Sequence, residues 1–80
     1  MEKEISQHKV IVGTKQLKKA LAAGRAHRVY LAQNADPAIT DLLADLCRHH
    51  SVEYAWVKSM ADLGRACGIE VGAAAAASVD

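Results

Sequence analysis

The residues with the most chemical potential lie in one short stretch. Gly13-Thr14-Lys15-Gln16 follows a β-branched run and opens a helical pattern, and Lys18 and Lys19 come directly after it. The first N–H groups of a helix have no partner within it and stand at the positive end of its dipole, so that end attracts anions. Lysines there run against the dipole by roughly a few tenths of a kcal/mol each. A phosphate chain satisfies the amides and the ammonium groups together. The plainer alternative is that the lysines form an ordinary solvated helix face. The stretch is not a P-loop, which needs a longer glycine-rich loop before Lys-Ser/Thr. A single glycine precedes Thr14 and Lys15, so nucleoside triphosphate binding is not expected.

Other reactive side chains do not converge. His49 and His50 follow Cys47 closely, but adjacent helical residues point about 100° apart and cannot share an ion. His8 and His27 lie far off in sequence without a ligand pattern, so no metal and no cofactor is expected. No Ser/His/Asp grouping or carboxylate pair stands out, and an enzyme is not expected. Tyr54 and Trp56 alternate onto one face of a strand. Such a pair can stack on bases, but packing in the core is the favoured reading.

Several elements must position these groups. Residues 10–12 form a short β-branched strand ended by Gly13. Thr14 is expected to cap a helix from residue 15 to about 23, with Gly24 as its stop and Leu17, Ala20 and Leu21 inward. A second strand covers residues 29–32, and residues 33–35 form a loop. Asp36-Pro37 starts the next helix, Asp as cap and Pro at the first position, running to about His50. Its inward stripe is Ile39, Leu42, Leu43, Leu46 and Cys47. A third strand spans residues 52–57. Ser59 and Asp62 resemble a capping box for a short helix through Leu63, Ala66 and Cys67, stopped by Gly68. Residues 71–79 are rich in alanine, which favours helix by propensity. The strand–helix alternation favours a final strand instead, and strand is the expectation. The fold class that follows is α/β, a three-layer α/β/α sandwich with a small mixed sheet.

Eighty residues, 51 % of them apolar, make one domain with its own core. The net charge of +1 hides an uneven distribution. Residues 1–28 hold seven Lys/Arg against two Glu, and residues 29–80 hold three against seven acids. Such segregation points to one basic face. Cys47 and Cys67 form no Cys-x-x-Cys pair and fall on apolar helix sides. The polar first residues do not resemble a signal peptide, and no apolar run approaches the roughly 20 residues a membrane span needs. A cytoplasmic monomer without membrane contact is expected.

Three motifs now carry a resemblance. Val12-Gly13-Thr14-Lys15-Gln16, with Lys19-Ala20-Leu21 and Gly24, is similar to the first motif of the kink-turn RNA-binding ribosomal protein family of the L-seven-Ae type. Asn34-Ala35-Asp36-Pro37 resembles its second conserved loop. Val57-Lys58-Ser59-Met60, Leu63-Gly64-Arg65-Ala66-Cys67-Gly68 and Ile69-Glu70-Val71 resemble its third motif. The three occur in order over residues 10–79, and the resemblance is closest to short bacterial YbxF-like members. It implies one domain over residues 1–80 that binds kink-turns, sharply bent duplexes with a bulge beside tandem sheared G·A pairs. Structured RNA is the implied partner, with the ribosome as a candidate host.

The resemblance also implies roles. The backbone at Gly13 and Thr14 approaches RNA closely. Lys15 and Gln16 stand where the family usually has Asn-Glu, a pair that also occurs as Lys-Gln in short bacterial members. Lys15 can donate to guanine, and Gln16 can both accept from and donate to a base edge. Lys19 matches a conserved basic position; Lys18, by its own chemistry as a cation without an acceptor, can reach only phosphate. Asp36 faces the bulge while also serving as a helix cap. Lys58 contacts phosphate, and Ile69, Glu70 and Val71 cover the extruded nucleotide. A protein-interaction subunit of a ribonucleoprotein, with a weakened RNA site, is the alternative that Lys15-Gln16 keeps open.

Overall fold

Strands and helices alternate along the chain in the computed structural model, which describes residues 9–69 and 71–79. The order is β1 (Lys9–Val12), α1 (Thr14–Ala22), β2 (Ala26–Ala32), α2 (Pro37–His49), β3 (Glu53–Val57), α3 (Met60–Ala66) and β4 (Ala75–Val79). The strands form one sheet in the order β1-β4-β2-β3. β2 and β3 are parallel, and β4 runs antiparallel to both β1 and β2. β1, β2 and β3 therefore all end at one edge of the molecule, where β4 begins.

Side-chain alternation divides the core into two layers. Val29 and Leu31 of β2 and Ala75 and Ala77 of β4 meet Leu17 and Leu21 of α1 and Leu43, Ala44 and Cys47 of α2. Ala32 and Ala76 face the other way, onto Leu63, with Tyr30, Val57, Met60 and Cys67 packed around them. Two helices thus cover one face and α3 the other, the expected three-layer α/β/α sandwich.

The alanine-rich segment is a strand because of where it lies. β4 is interior in the sheet, and Ala75, Ala76 and Ala77 are fully buried. Helices press on both sides, so only small side chains fit, and the pairing with β1 and β2 overrides alanine's helical propensity. It starts at Ala75, later than the residue-71 boundary expected from sequence.

Three expectations need correction. Thr14 is not a cap: it is the first residue of α1, and Gly13 occupies the N-cap with φ of 110° and no side-chain hydrogen bond. That φ is one L-residues rarely adopt, so glycine is required there. Leu42 is not in the core stripe, being 43 % exposed. Thr40, Leu43, Ala44 and Cys47 form the buried row of α2, and Leu42 falls about 100° round the helix from Leu43. Trp56 is not packed away either, being 45 % exposed, on β3, one of the sheet's two outer strands. The caps of the later helices stand as read. The Asp36 carboxylate accepts from Ala38 N at 3.0 Å, and Ser59 Oγ accepts from Asp62 N at 3.1 Å.

Enlarging the interior strand tests this packing. Ala77→Leu is expected to destabilise the domain by about 1–3 kcal/mol through overpacking against α1 and α2. For a chain of this size each kcal/mol lowers the thermal midpoint by about 4–8 °C, which calorimetry would read.

Candidate functional site

Four loops gather at the edge where β1, β2 and β3 end. Main-chain bonds hold them in register. Gly13 N donates to the Ala75 carbonyl at 3.1 Å, and Ala32 N donates to the Ala74 carbonyl at 3.0 Å. Gln33 N donates to the Val57 carbonyl at 2.8 Å. One side chain extends this network: Asn34 Oδ1 accepts from Met60 N at 2.7 Å, tying the loop after β2 to the start of α3. The Met60 carbonyl in turn accepts from Ala73 N at 3.1 Å.

Gly64 completes the arrangement. It is buried within α3, and a Cβ there would lie 2.1 Å from the Val71 carbonyl oxygen. The chain after α3 crosses the helix so closely that only a hydrogen fits. Ile69 N also donates to the Gly64 carbonyl at 3.0 Å. Neither Asn34 nor Gly64 was assigned a role from sequence, although a glycine inside a helical pattern is a signal of close approach.

The structure brings most of the expected residues to this edge. Gly13 and Thr14 are half-buried at the start of α1, and Lys15, Gln16, Lys18 and Lys19 are exposed on it. A Cβ at Gly13 would meet nothing within 4 Å, so the space over this turn is open. Gln16 and Lys19 line one flank of α1, in a groove of about 230 Å³ shared with Ile11, Ala20, Ala23 and Arg25. Asp36 is exposed, and one of its oxygens is occupied by the cap. Lys58 is exposed just beyond β3. Val71 is 70 % exposed, an apolar side chain held out from the fold, whereas Ile69 is half-buried against the Leu63 layer. Glu70 lies outside the described residues.

Other groups are not brought here. Arg25 follows α1 at the end away from Gly13, so it shares the groove of Gln16 and Lys19 without reaching the Gly13 turn. Arg28 is on β2 and pairs with Glu53 of β3 at 3.3 Å, an exposed ion pair. The basic surface at the site is therefore narrower than the count of cations over residues 1–28 suggested, resting on α1 and Lys58.

The thiols are not poised as nucleophiles. Burial pushes the Cys47 thiol up, only partly opposed by the charge of Arg48, and burial pushes Cys67 up as well. A reactive cysteine needs the opposite shift. His49 and His50 meet edge to face at 5.3 Å between ring centroids. Among the described residues, no helix is long and apolar enough to cross a membrane.

Fold and site together define a small α/β/α domain that presents open main chain, lysines and one exposed apolar side chain on loops at a single sheet edge. The chain belongs to the ribosomal protein L7Ae/L30e/S12e/Gadd45 family, whose model matches residues 1–80. It is 44 % identical over 78 residues to an RNA-binding protein of Geobacillus sp. strain WCH70, covering 98 % of this chain and 95 % of that one. It is 41 % identical over 76 residues to the RNA-binding protein YbxF of Geobacillus stearothermophilus, covering 95 % and 93 %. Among solved structures, the Giardia lamblia 15.5kD RNA binding protein superposes with a TM-score of 0.83 at 30 % identity, over 90 % of this chain and 61 % of that one. The resemblance read from the three motifs is thus a family membership, with short bacterial relatives of YbxF type.

Gly64→Ala is the direct test of the loop arrangement. The added methyl cannot fit against the Val71 carbonyl, so the loop after α3 must move. The expected outcome is a lower thermal midpoint and faster amide exchange at Ile69 and Ala73, read by hydrogen-exchange NMR, with the α1 and α2 amides less affected.

Proposed function

We propose that this protein is a non-enzymatic RNA-binding domain that recognises kink-turns in structured RNA, acting in the cytoplasm as a monomer, with ribosomal RNA among its candidate hosts. The observation that carries this reading is the convergence at one sheet edge of the α1 start, Lys58 and the exposed Val71. The relatives named RNA-binding proteins support it.

The geometry suits a bent RNA. A regular A-form duplex hides its base edges in a deep, narrow groove, so proteins read RNA through irregular shape and unstacked bases. A kink opens that groove to the end of a helix. Gly13 has open space in front of it and no side chain to hold RNA off. Lys15, Lys18 and Lys19 offer charge to phosphates, and Lys58 does so from the next loop. Gln16 supplies both a donor and an acceptor, which lets it pair with a base edge. Asp36 keeps one carboxylate oxygen for the bulge while the other caps α2. Ile69 and Val71 divide their work: Ile69 anchors the loop in the Leu63 layer, and Val71 covers an extruded base.

Two substitutions separate reading from holding. Gln16→Ala is expected to cost about 1–3 kcal/mol on a kink-turn, and little on the same RNA with its G·A pairs replaced by Watson–Crick pairs. Lys18→Ala is expected to weaken both RNAs about equally and to lower the salt slope of log K by about 0.7–0.9. Titration of both RNAs at several salt concentrations measures the contrast. An equal loss on both RNAs for Gln16→Ala would remove the main support for kink-turn recognition. Val71→Ser is expected to leave the thermal midpoint nearly unchanged and to weaken kink-turn binding, whereas Ile69→Ser should also destabilise the fold.

A further inference from the structure

Trp56 takes no part in the site described above, yet it is the chain's only tryptophan and stands 45 % exposed. Its place in the fold gives that exposure a direction. Tyr54 packs against the layer of Leu43 and Cys47, while Val57 packs against the layer of Leu63 on the opposite face. Alternation along β3 therefore sets Trp56 on the Tyr54 side, and the exposed Lys58 stands two residues on, in the bend that ends the strand. Tyr54 is already engaged, its hydroxyl accepting from Arg48 Nη1 at 3.0 Å, with Arg48 also bound to Asp45. Trp56 stays half-exposed, with the exposed Lys58 two residues on.

That pair adjoins the RNA site. The strand end carrying Trp56 and Lys58 is fixed to the loop of Asp36 by the Gln33 N to Val57 carbonyl bond of 2.8 Å. An aromatic ring with a cation one nucleotide's reach away is the combination that holds single-stranded nucleic acid, the ring by stacking and the cation by phosphate contact. Every base offers a π-face, so such a platform does not select sequence. A protein-binding hot spot would instead need an apolar surround that excludes water, whereas along the chain Trp56 is followed by the exposed Lys58 and preceded by Tyr54, whose hydroxyl is bonded to Arg48.

We infer that Trp56 and Lys58 form a second nucleotide position on the outer strand, where an unpaired nucleotide leaving the kink stacks on the indole. This rests on the proposed RNA-binding function and enlarges its footprint by one unstacked base.

Trp56 is its own reporter. The full chain would be titrated with a hairpin bearing a kink-turn, and with the same hairpin whose bulge is extended by unpaired uridines. Tryptophan emission should be quenched on saturation with the extended RNA. Trp56→Leu should weaken the extended RNA by roughly five- to a hundredfold while leaving the short-bulge RNA within about twofold, and Trp56→Phe should retain most of the affinity. Unchanged emission on an RNA that does bind, or equal affinity of Trp56→Leu and wild type for the extended RNA, would overturn the inference and leave the RNA site standing. If the wild-type protein binds neither hairpin, the RNA-binding reading itself falls. Should Trp56→Leu fold poorly, the wild-type quench and the Trp56→Phe variant still decide the matter.

Discussion

The carbonyls at the start of β4 are the constraint on which the rest of the molecule depends. Ala74 receives the N–H of Ala32 and Ala75 receives the N–H of Gly13, so one short stretch of backbone fixes where both β1 and β2 give way to their loops. That stretch lies between two strands and beneath helices on both faces, where a buried, unpaired carbonyl would cost about twice what a made bond contributes. The alanines follow from the same requirement, because any larger side chain there would push α1, α2 or α3 off the sheet. The close crossing at Gly64 extends it to the chain that precedes β4.

Rigid loops matter here because the surface they carry is weakly charged. With a net charge of +1, the protein has little long-range pull on a polyanion. Affinity must come from a few cations placed together and from shape. Some of the cations that enrich the first third of the sequence are spent elsewhere, Arg28 against Glu53 for example. The acids of α2 and β3 lie along the far side of the sheet from β1. Among the described residues charge is thus unevenly spread, with Lys15, Lys18 and Lys19 on α1 and Lys58 beyond the outer strand β3.

Much of this was legible in the sequence. The alternation of elements, the caps at Asp36 and Ser59, and the inward row of α1 are local matters, set by side-chain chemistry within a turn or two of the backbone. So were the three motifs that identify the family. Leu42 and Trp56 are more exposed than the pattern implies, because periodicity tells which residues share a face, not how far the neighbouring element extends to cover it. β3 is an outer strand only because the fourth strand to be made inserts between the first and the second, and nothing near Trp56 records that.

The sequence by itself determined the elements, their order, and the chemical character of the turn at residues 13–16, because those depend on propensity, capping and hydrophobic pattern over short spans. Only the tertiary structure decided that Asn34 would reach Met60, that Gly64 would lie under Val71, that Arg28 would pair with Glu53, and that Trp56 would be open. Each of these depends on contacts between residues far apart in the chain, and their partners are named only when the sheet order β1-β4-β2-β3 has been formed.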